Sequence, residues 1–220
     1  ANVDAGFSIV KWTGNDSASQ TIGHGLSSTP ELYIIKKTSA ALAWQVNLSS
    51  LVTGTEGYLL LDRNLSMYTT FPNYYTSANN TVLSTNGTST AERQYNNQSA
   101  NYIAYAFHSV AGYSKMGSYV GNGSATGPIV TLGFEPAWVM IKRTDAGAAW
   151  CIFDSARNTT NSRYNLLQAQ DSAAELDLLN LYGLNGVDFL STSFQLKDAN
   201  TSRNANGGTY IFMAFATNPT

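Results

Sequence analysis

The sequence predicts an all-β protein made of two tandem antiparallel β-sandwich modules of a jelly-roll or lectin-like type. The first reason is composition, because the 220 residues include 13 Tyr, nine Phe and four Trp, and aromatic residues favour strands. The second reason is that clusters of Gly, Asn, Ser and Thr separate short apolar runs, as turns separate strands. The third reason is that the second half of the chain repeats the first.

Several segments of the first half return in the second half, in the same order. The pairs are "KWTGN" and "SYVGN" (residues 11–15 and 118–122), "PELYIIKK" and "PAWVMIKR" (30–37 and 136–143), and "NYIAYAFHS" and "TYIFMAFAT" (101–109 and 209–217). Chance does not readily produce so many ordered matches. We infer an internal duplication, with one sandwich module at residues 1–110 and the other at 111–220. A period this long indicates tandem domains and not a solenoid of short repeats.

Each module reads as a succession of strands. The predicted strands are "LYIIKK" and "WVMIKR", each ending in two cations, then "WQVNL" and "WCIFD", and finally "YIAYAF" and "YIFMAF". Continuous apolar and aromatic character in the closing strands is typical of a sandwich core. The exception is "SAAELDLLNLYG" (residues 172–183), where Ala174, Leu178 and Leu181 lie at helical spacing, with Glu175 near the start. We expect a short helix there.

The charge and cysteine content exclude several kinds of protein. Charged residues make up only 12% of the chain and the net charge is −2, so a basic surface for nucleic acid or an anionic membrane is not expected. The single cysteine, Cys151, excludes a disulfide framework within the chain; its apolar surroundings predict a buried, inert thiol. No apolar run approaches the roughly 18 residues of a membrane span. We expect no nucleic acid, no membrane insertion, no cofactor and no metal.

Catalytic motifs are not evident in the sequence. It has no G-x-S-x-G, no H-E-x-x-H and no phosphate-cradling glycine loop. The two histidines are His24, in the turn "GHGL", and His108, at the end of an apolar strand; we expect His24 to be a turn or surface residue and His108 to be structural. A pair of carboxylates brought together by folding stays open, because glycosidases need only two such groups. We expect no catalytic residues and no enzymatic activity.

The most distinctive irregular stretch is "YTTFPNYYTSANNT" (residues 68–81). Aromatic rings offer flat faces to the C–H side of a sugar, and amides pair with its hydroxyls. The candidate ligand contacts are Phe71, Asn73, Tyr74, Tyr75 and Asn79. Alternatively, these aromatic side chains pack onto the sandwich or against a neighbouring subunit.

The repeated run "GFSIVKWTGN", "HGLSSTP", "ELYIIKK" and "NYIAYAF", with its second copy, resembles a module of tail-fibre-like virion proteins from marine and freshwater tailed phages. The resemblance covers nearly the whole chain and consists of strand and turn residues, so it brings no active-site residue with it. It implies a virion surface protein made in the host cytoplasm. Its implied partners are other virion proteins and copies of itself, with a trimer favoured.

Three functions follow as hypotheses. The first is a non-enzymatic adhesion protein of the tail-fibre type, which contacts a host-surface glycan or protein. The second is a capsid decoration or head-fibre protein, which binds the phage shell. The third is a polysaccharide depolymerase, which would need two carboxylates roughly 5–10 Å apart in an aromatic-lined groove.

Overall fold

Antiparallel strands make up nearly all of the regular structure. The computed structural model describes residues 1–17, 19–49, 57–69, 76–86 and 95–217. Contacts divide the chain into two compact units: unit 1 comprises Ala1–Leu61 and Met67–Ser109, and unit 2 comprises Asp62–Ser66 and Val110–Thr220. The prediction of an all-β fold with antiparallel sheets is confirmed.

Unit 1 contains eight described strands in two sheets. The strands are β1 (Phe7–Thr13), β2 (Ser19–Gly23), β3 (Leu32–Lys37), β4 (Gln45–Leu48), β5 (Tyr58–Leu60), β6 (Thr76–Ala78), β7 (Val82–Asn86) and β8 (Asn101–Phe107). The larger sheet has the order β1-β8-β3-β4-β5 and the smaller one β2-β7-β6. Ile22 and Leu83 of the smaller sheet share one apolar core with Tyr33, Tyr102 and Ala104 of the larger sheet, as the two layers of a sandwich do.

Unit 2 repeats this plan with one more strand and two short helices. Its elements are β9 (Ser114–Val120), β10 (Ile129–Thr131), β11 (Pro136–Arg143), β12 (Trp150–Asp154), β13 (Asn165–Gln168), β14 (Leu176–Asp177), α1 (Leu178–Tyr182), β15 (Val187–Leu190), β16 (Ser193–Leu196), α2 (Thr201–Asn204) and β17 (Thr209–Ala216). The larger sheet has the order β14-β13-β12-β11-β17-β9 and the smaller one β10-β16-β15. Phe194 and Val187 of the smaller sheet meet Phe153, Ile141 and Phe212 of the larger sheet in one core.

The two units share their strand order, because β1, β8, β3, β4 and β5 take the places of β9, β17, β11, β12 and β13. Equivalent ring pairs also recur. Trp12 stacks on Tyr102 at 5.1 Å between ring centroids, and Tyr119 stacks on Tyr210 at 4.9 Å. The duplication itself stays a prediction, and these recurring contacts support it.

The repeated Gly-Asn pair directly follows the first strand of each unit and stabilises the turn there. In unit 1 the backbone N–H of Asn15 donates to Oδ1 of Asn96 (3.0 Å), and Nδ2 of Asn96 donates back to Oδ1 of Asn15 (3.0 Å). In unit 2, Asn122 and Asn204 make the same reciprocal contacts at 2.9 and 3.2 Å. In each unit, these reciprocal hydrogen bonds therefore hold the end of the first strand to the segment that precedes the closing strand.

The glycine before each of these asparagines leaves room for a close backbone approach. A Cβ added to Gly121 would lie 2.3 Å from the carbonyl oxygen of Ala205, a distance that requires backbone movement. We therefore expect Gly121→Ala to destabilise the protein by about 1–3 kcal/mol, measured as a lower urea midpoint. Gly23→Ala is the control, because its added Cβ would meet nothing within 4 Å. Equal losses in the two variants would refute this explanation.

The predicted helix at residues 172–183 is confirmed only at its end. The described helix α1 is Leu178–Tyr182, and β14 (Leu176–Asp177) precedes it. Glu175, expected near the helix start, instead forms an ion pair with Arg157 (2.8 Å). Asp177 begins the helix, because its Oδ1 accepts from the backbone N–H of Asn180 (3.0 Å).

Candidate functional site

A pocket in unit 2 lies beside the turn that holds α1. Four leucines supply most of its apolar lining, so we call it the leucine pocket. Its lining residues are Cys151, Leu166, Gln168, Leu176, Leu178, Tyr182, Leu184, Asn200, Ser202 and Arg203. Its volume is about 260 Å³, just below the roughly 300–1,000 Å³ of pockets for drug-sized ligands. The size fits a ligand no larger than a single sugar ring or a comparable group.

Helix α1 forms one side of the pocket and also an exposed apolar surface. Gly183 ends the helix in the left-handed conformation, at φ 65°, where glycine has no Cβ penalty. Leu178 is buried under the helix, whereas Leu179, Leu181 and Tyr182 are 43%, 57% and 63% exposed. A short helix that exposes three large apolar side chains is typical of a contact surface. The pocket and this surface are continuous, because Tyr182 belongs to both.

Helix α2 supplies the polar side of the pocket. Asn200 caps this helix, because its Oδ1 accepts from the backbone N–H of Ser202 (2.9 Å). Asn200 is itself placed by Asp198, whose Oδ1 accepts its backbone N–H (3.0 Å). On β13, Gln168 is oriented by Gln170, whose Nε2 donates to the Oε1 of Gln168 (3.2 Å). The capping and amide contacts thus fix Asn200, Ser202 and Gln168 around the pocket.

A buried ion pair neutralises the only charged side chain that lines the pocket. Nη2 and Nε of Arg203 donate to Oδ2 of Asp198 at 2.5 and 3.1 Å, and the two side chains are 1% and 4% exposed. The same carboxylate oxygen accepts the backbone N–H of Gly186 (2.9 Å). The pocket therefore presents no net charge to a ligand.

Cys151 is among the lining residues of the leucine pocket and is fully buried. Burial raises the pKa of its thiol, and the nearby Arg203 offsets part of that rise. A protonated, enclosed thiol is a poor nucleophile. This geometry agrees with the expectation of an inert core cysteine.

A second cleft in unit 2 lies between β9 and β10, the edge strands of the two sheets. It measures about 460 Å³ and is lined by β9, β10, Pro128 and Phe212. Two of its polar side chains form hydrogen bonds within the protein. Nζ of Lys115 donates to the carbonyl oxygen of Thr131 (2.9 Å), and the hydroxyl of Tyr119 donates to the carbonyl oxygen of Arg203 (2.6 Å). The leucine pocket is the better candidate, because it combines apolar and uncharged polar side chains and adjoins the exposed apolar residues of α1.

Four of the five predicted ligand contacts, Phe71, Asn73, Tyr74 and Tyr75, lie outside the described residues. The fifth, Asn79, is exposed in the turn between β6 and β7. Its Oδ1 accepts from the backbone N–H groups of Thr81 and Val82, both at 2.9 Å. Asn79 therefore shapes this turn, and its contact with a ligand stays a prediction.

The two histidines occupy structural positions in unit 1. His24 lies in the irregular segment directly after β2, and it is buried and not at the surface. Its Nδ1 accepts from the backbone N–H of Leu26 (3.1 Å), and its Nε2 lies 2.9 Å from the carbonyl of Asn79. His108 is also buried, with Nδ1 2.9 Å from the carbonyl of Ser109. Neither histidine lies beside a nucleophile or carboxylate in these contacts.

Among the described residues, no three His, Cys, Asp or Glu side chains come close enough to hold a metal ion. The same part of the chain has no helix with the length and apolarity needed to span a bilayer.

The chain matches a protein family model along nearly its whole length. A family model described as a domain of unknown function (DUF7483) covers residues 1–219. The chain belongs to this family. No curated protein and no solved structure matches it.

Sequence reasoning missed the leucine pocket of the DUF7483 chain because its lining comes from separate segments around residues 151, 166–168, 176–184 and 200–203. One signal was present. The segment "LDLLNLYG" contains more leucines than a five-residue helix can bury. Leu179 and Leu181 are the leucines that α1 leaves exposed.

Proposed function

We propose that the chain is a non-enzymatic protein of the phage virion surface, of the tail-fibre or adhesion type, which contacts a host-surface glycan or protein. The observation that supports binding is the leucine pocket beside the exposed residues of α1. An apolar pocket with a few converging polar groups is the usual form of a recognition site. The virion setting rests on the resemblance of the repeated segments to tail-fibre-like modules.

The pocket supports binding in preference to hydrolysis. No carboxylate is among its lining residues, whereas glycoside hydrolysis generally uses two. Nearby acidic side chains serve structural contacts: Asp198 pairs with Arg203, and Asp154 pairs with Arg157 (2.5 Å). A depolymerase would need its acid and base elsewhere.

A capsid decoration or head-fibre protein is the second candidate. The observation that favours it is at the free edges of the unit 2 sheets, where Val120 and Ile129 are 59% and 60% exposed. Exposed apolar residues at sheet edges can pair with another chain. In this reading the partners are the phage shell and other copies of the chain, including a trimer.

Antibody against the chain, labelled with gold and viewed on whole phage particles by electron microscopy, separates these candidates. We expect label at the tail or its fibres. Label over the head would favour the decoration protein, and particles that stay unlabelled while a tail-protein antibody labels them would refute a virion location.

A further inference from the structure

The lining of the leucine pocket combines two kinds of side chain within one small volume. Leu166, Leu176, Leu178 and Leu184 are apolar, and Gln168, Asn200 and Ser202 are polar and uncharged. At about 260 Å³, the pocket can bury a single small group that contacts both kinds. Its ligand must therefore join an apolar part and a polar part over a short distance.

The hydrogen bonds already formed decide which polar groups the pocket can still offer. Oδ1 of Asn200 is used by Ser202, and Oε1 of Gln168 is used by Gln170. The Nδ2 and Nε2 amide groups stay available as donors, together with the hydroxyl of Ser202, and each amide oxygen keeps one lone pair. The pocket therefore offers several donors to an acceptor such as a carbonyl oxygen.

The electrostatics of the pocket argue against an ionic ligand. Arg203 is its only charged lining residue, and Asp198 already accepts two hydrogen bonds from that guanidinium. A carboxylate or ammonium ligand would lose its hydration without gaining an opposite charge. An uncharged ligand group avoids this desolvation cost and leaves the Arg203–Asp198 ion pair intact.

From these three properties we propose that the leucine pocket binds the acetamido group of an N-acetylated sugar. The carbonyl oxygen accepts from Asn200, Gln168 or Ser202, and the methyl group packs against the leucines. Tyr182, 63% exposed at the pocket rim, presents its ring to the C–H face of the sugar. This inference names the ligand class for the proposed adhesion function and rests on that function for its biological role.

Titration of the whole protein with N-acetylglucosamine and N-acetylgalactosamine, followed by amide NMR shifts, tests the proposal directly. We expect saturable shifts at Gln168, Asn200 and Ser202. We expect glucose and galactose, which lack the acetamido group, to bind at least about tenfold more weakly, equivalent to about 1.4 kcal/mol. The absence of saturable shifts, or equal binding of the parent sugars, would overturn it.

Two tryptophan variants provide a matched control. Leu176→Trp places a large ring in the pocket and should weaken binding at least about tenfold. Leu167→Trp adds the same ring on the same sheet at an exposed residue outside the pocket lining, and should leave binding unchanged. If Leu176→Trp does not fold, Gln168→Leu removes one donor amide and should also weaken binding. Unweakened binding in every folded pocket variant would contradict the assignment.

The two proposals fail in different ways. Sugar binding without label on any phage particle would refute the virion role and leave the ligand assignment standing. Label at the tail without acetamido binding would refute the ligand assignment and leave the adhesion role standing.

Discussion

Replacing Asp198 with alanine is expected to cost about 3–5 kcal/mol of unfolding free energy. The substitution leaves the guanidinium of Arg203 buried and unpaired, with that side chain only 1% exposed. It also removes the acceptor for the backbone N–H groups of Gly186 and Asn200. Differential scanning calorimetry should show a lower Tm, by roughly 2–4 °C for each kcal/mol in a chain of this size.

The Arg143–Asp145 pair offers a control with similar chemistry and different burial. Nε and Nη2 of Arg143 donate to the two carboxylate oxygens at 3.0 and 2.9 Å, and the Asp145 side chain is 39% exposed. Solvent screens such a pair, so Asp145→Ala should cost at most about 1 kcal/mol. Similar losses in the two variants would mean that burial does not determine the importance of the Asp198 pair.

Replacing Lys142 with methionine is expected to stabilise the protein at neutral pH. Lys142 lies on β11, fully buried, with its Nζ donating to the carbonyl of Arg143 (2.9 Å) and lying 6.0 Å from the Trp150 ring centroid. Burial lowers the pKa of Lys142 from 10.5 to about 8. A shift of this size corresponds to an electrostatic cost of about 3 kcal/mol while the lysine is protonated in both states.

The sign of the pH dependence follows from the lowered pKa. Between pH 8 and 10.5 the folded state binds fewer protons than the unfolded state at this residue, so wild-type stability rises with pH there. The advantage of Lys142→Met is therefore largest below pH 8 and shrinks to nearly nothing by about pH 10.5.

Urea unfolding of Lys142→Met and wild type at pH 7 and pH 10 measures the change. Lys36→Met is the control, because Lys36 belongs to the matching pair of cations on β3 but is only part buried. We expect it to change stability at pH 7 less than Lys142→Met does. An advantage for Lys142→Met that is the same at both pH values would contradict the electrostatic explanation.

The strand framework could be predicted because it depends on local patterns. Runs such as "YIAYAF" and "YIFMAF" are continuously apolar and aromatic, and they became the strands β8 and β17 next to the centre of each larger sheet. The repeated Gly-Asn pair indicated equivalent turns, and its reciprocal amide contacts show why those residue types recur. Local hydrogen bonds and the local pattern of apolar residues determine these strands and turns.

The candidate site could not be predicted in the same way, because it depends on distant segments meeting. Arg203 follows Cys151 by about fifty residues in sequence, and only folding brings both to the leucine pocket. Asn79 also has a role that its sequence context did not indicate. Its Oδ1 shapes a local turn, and its contact with a ligand stays a prediction.

Adsorption competition tests the central claim most directly, namely that this chain contacts the host surface through the leucine pocket. Host cells are incubated with purified wild-type protein, Leu176→Trp or Leu167→Trp before addition of the phage that is proposed to carry the chain. We predict that wild type and Leu167→Trp reduce phage adsorption and that Leu176→Trp does not. Unchanged adsorption with the folded wild-type protein, or equal competition by Leu176→Trp, would contradict the claim.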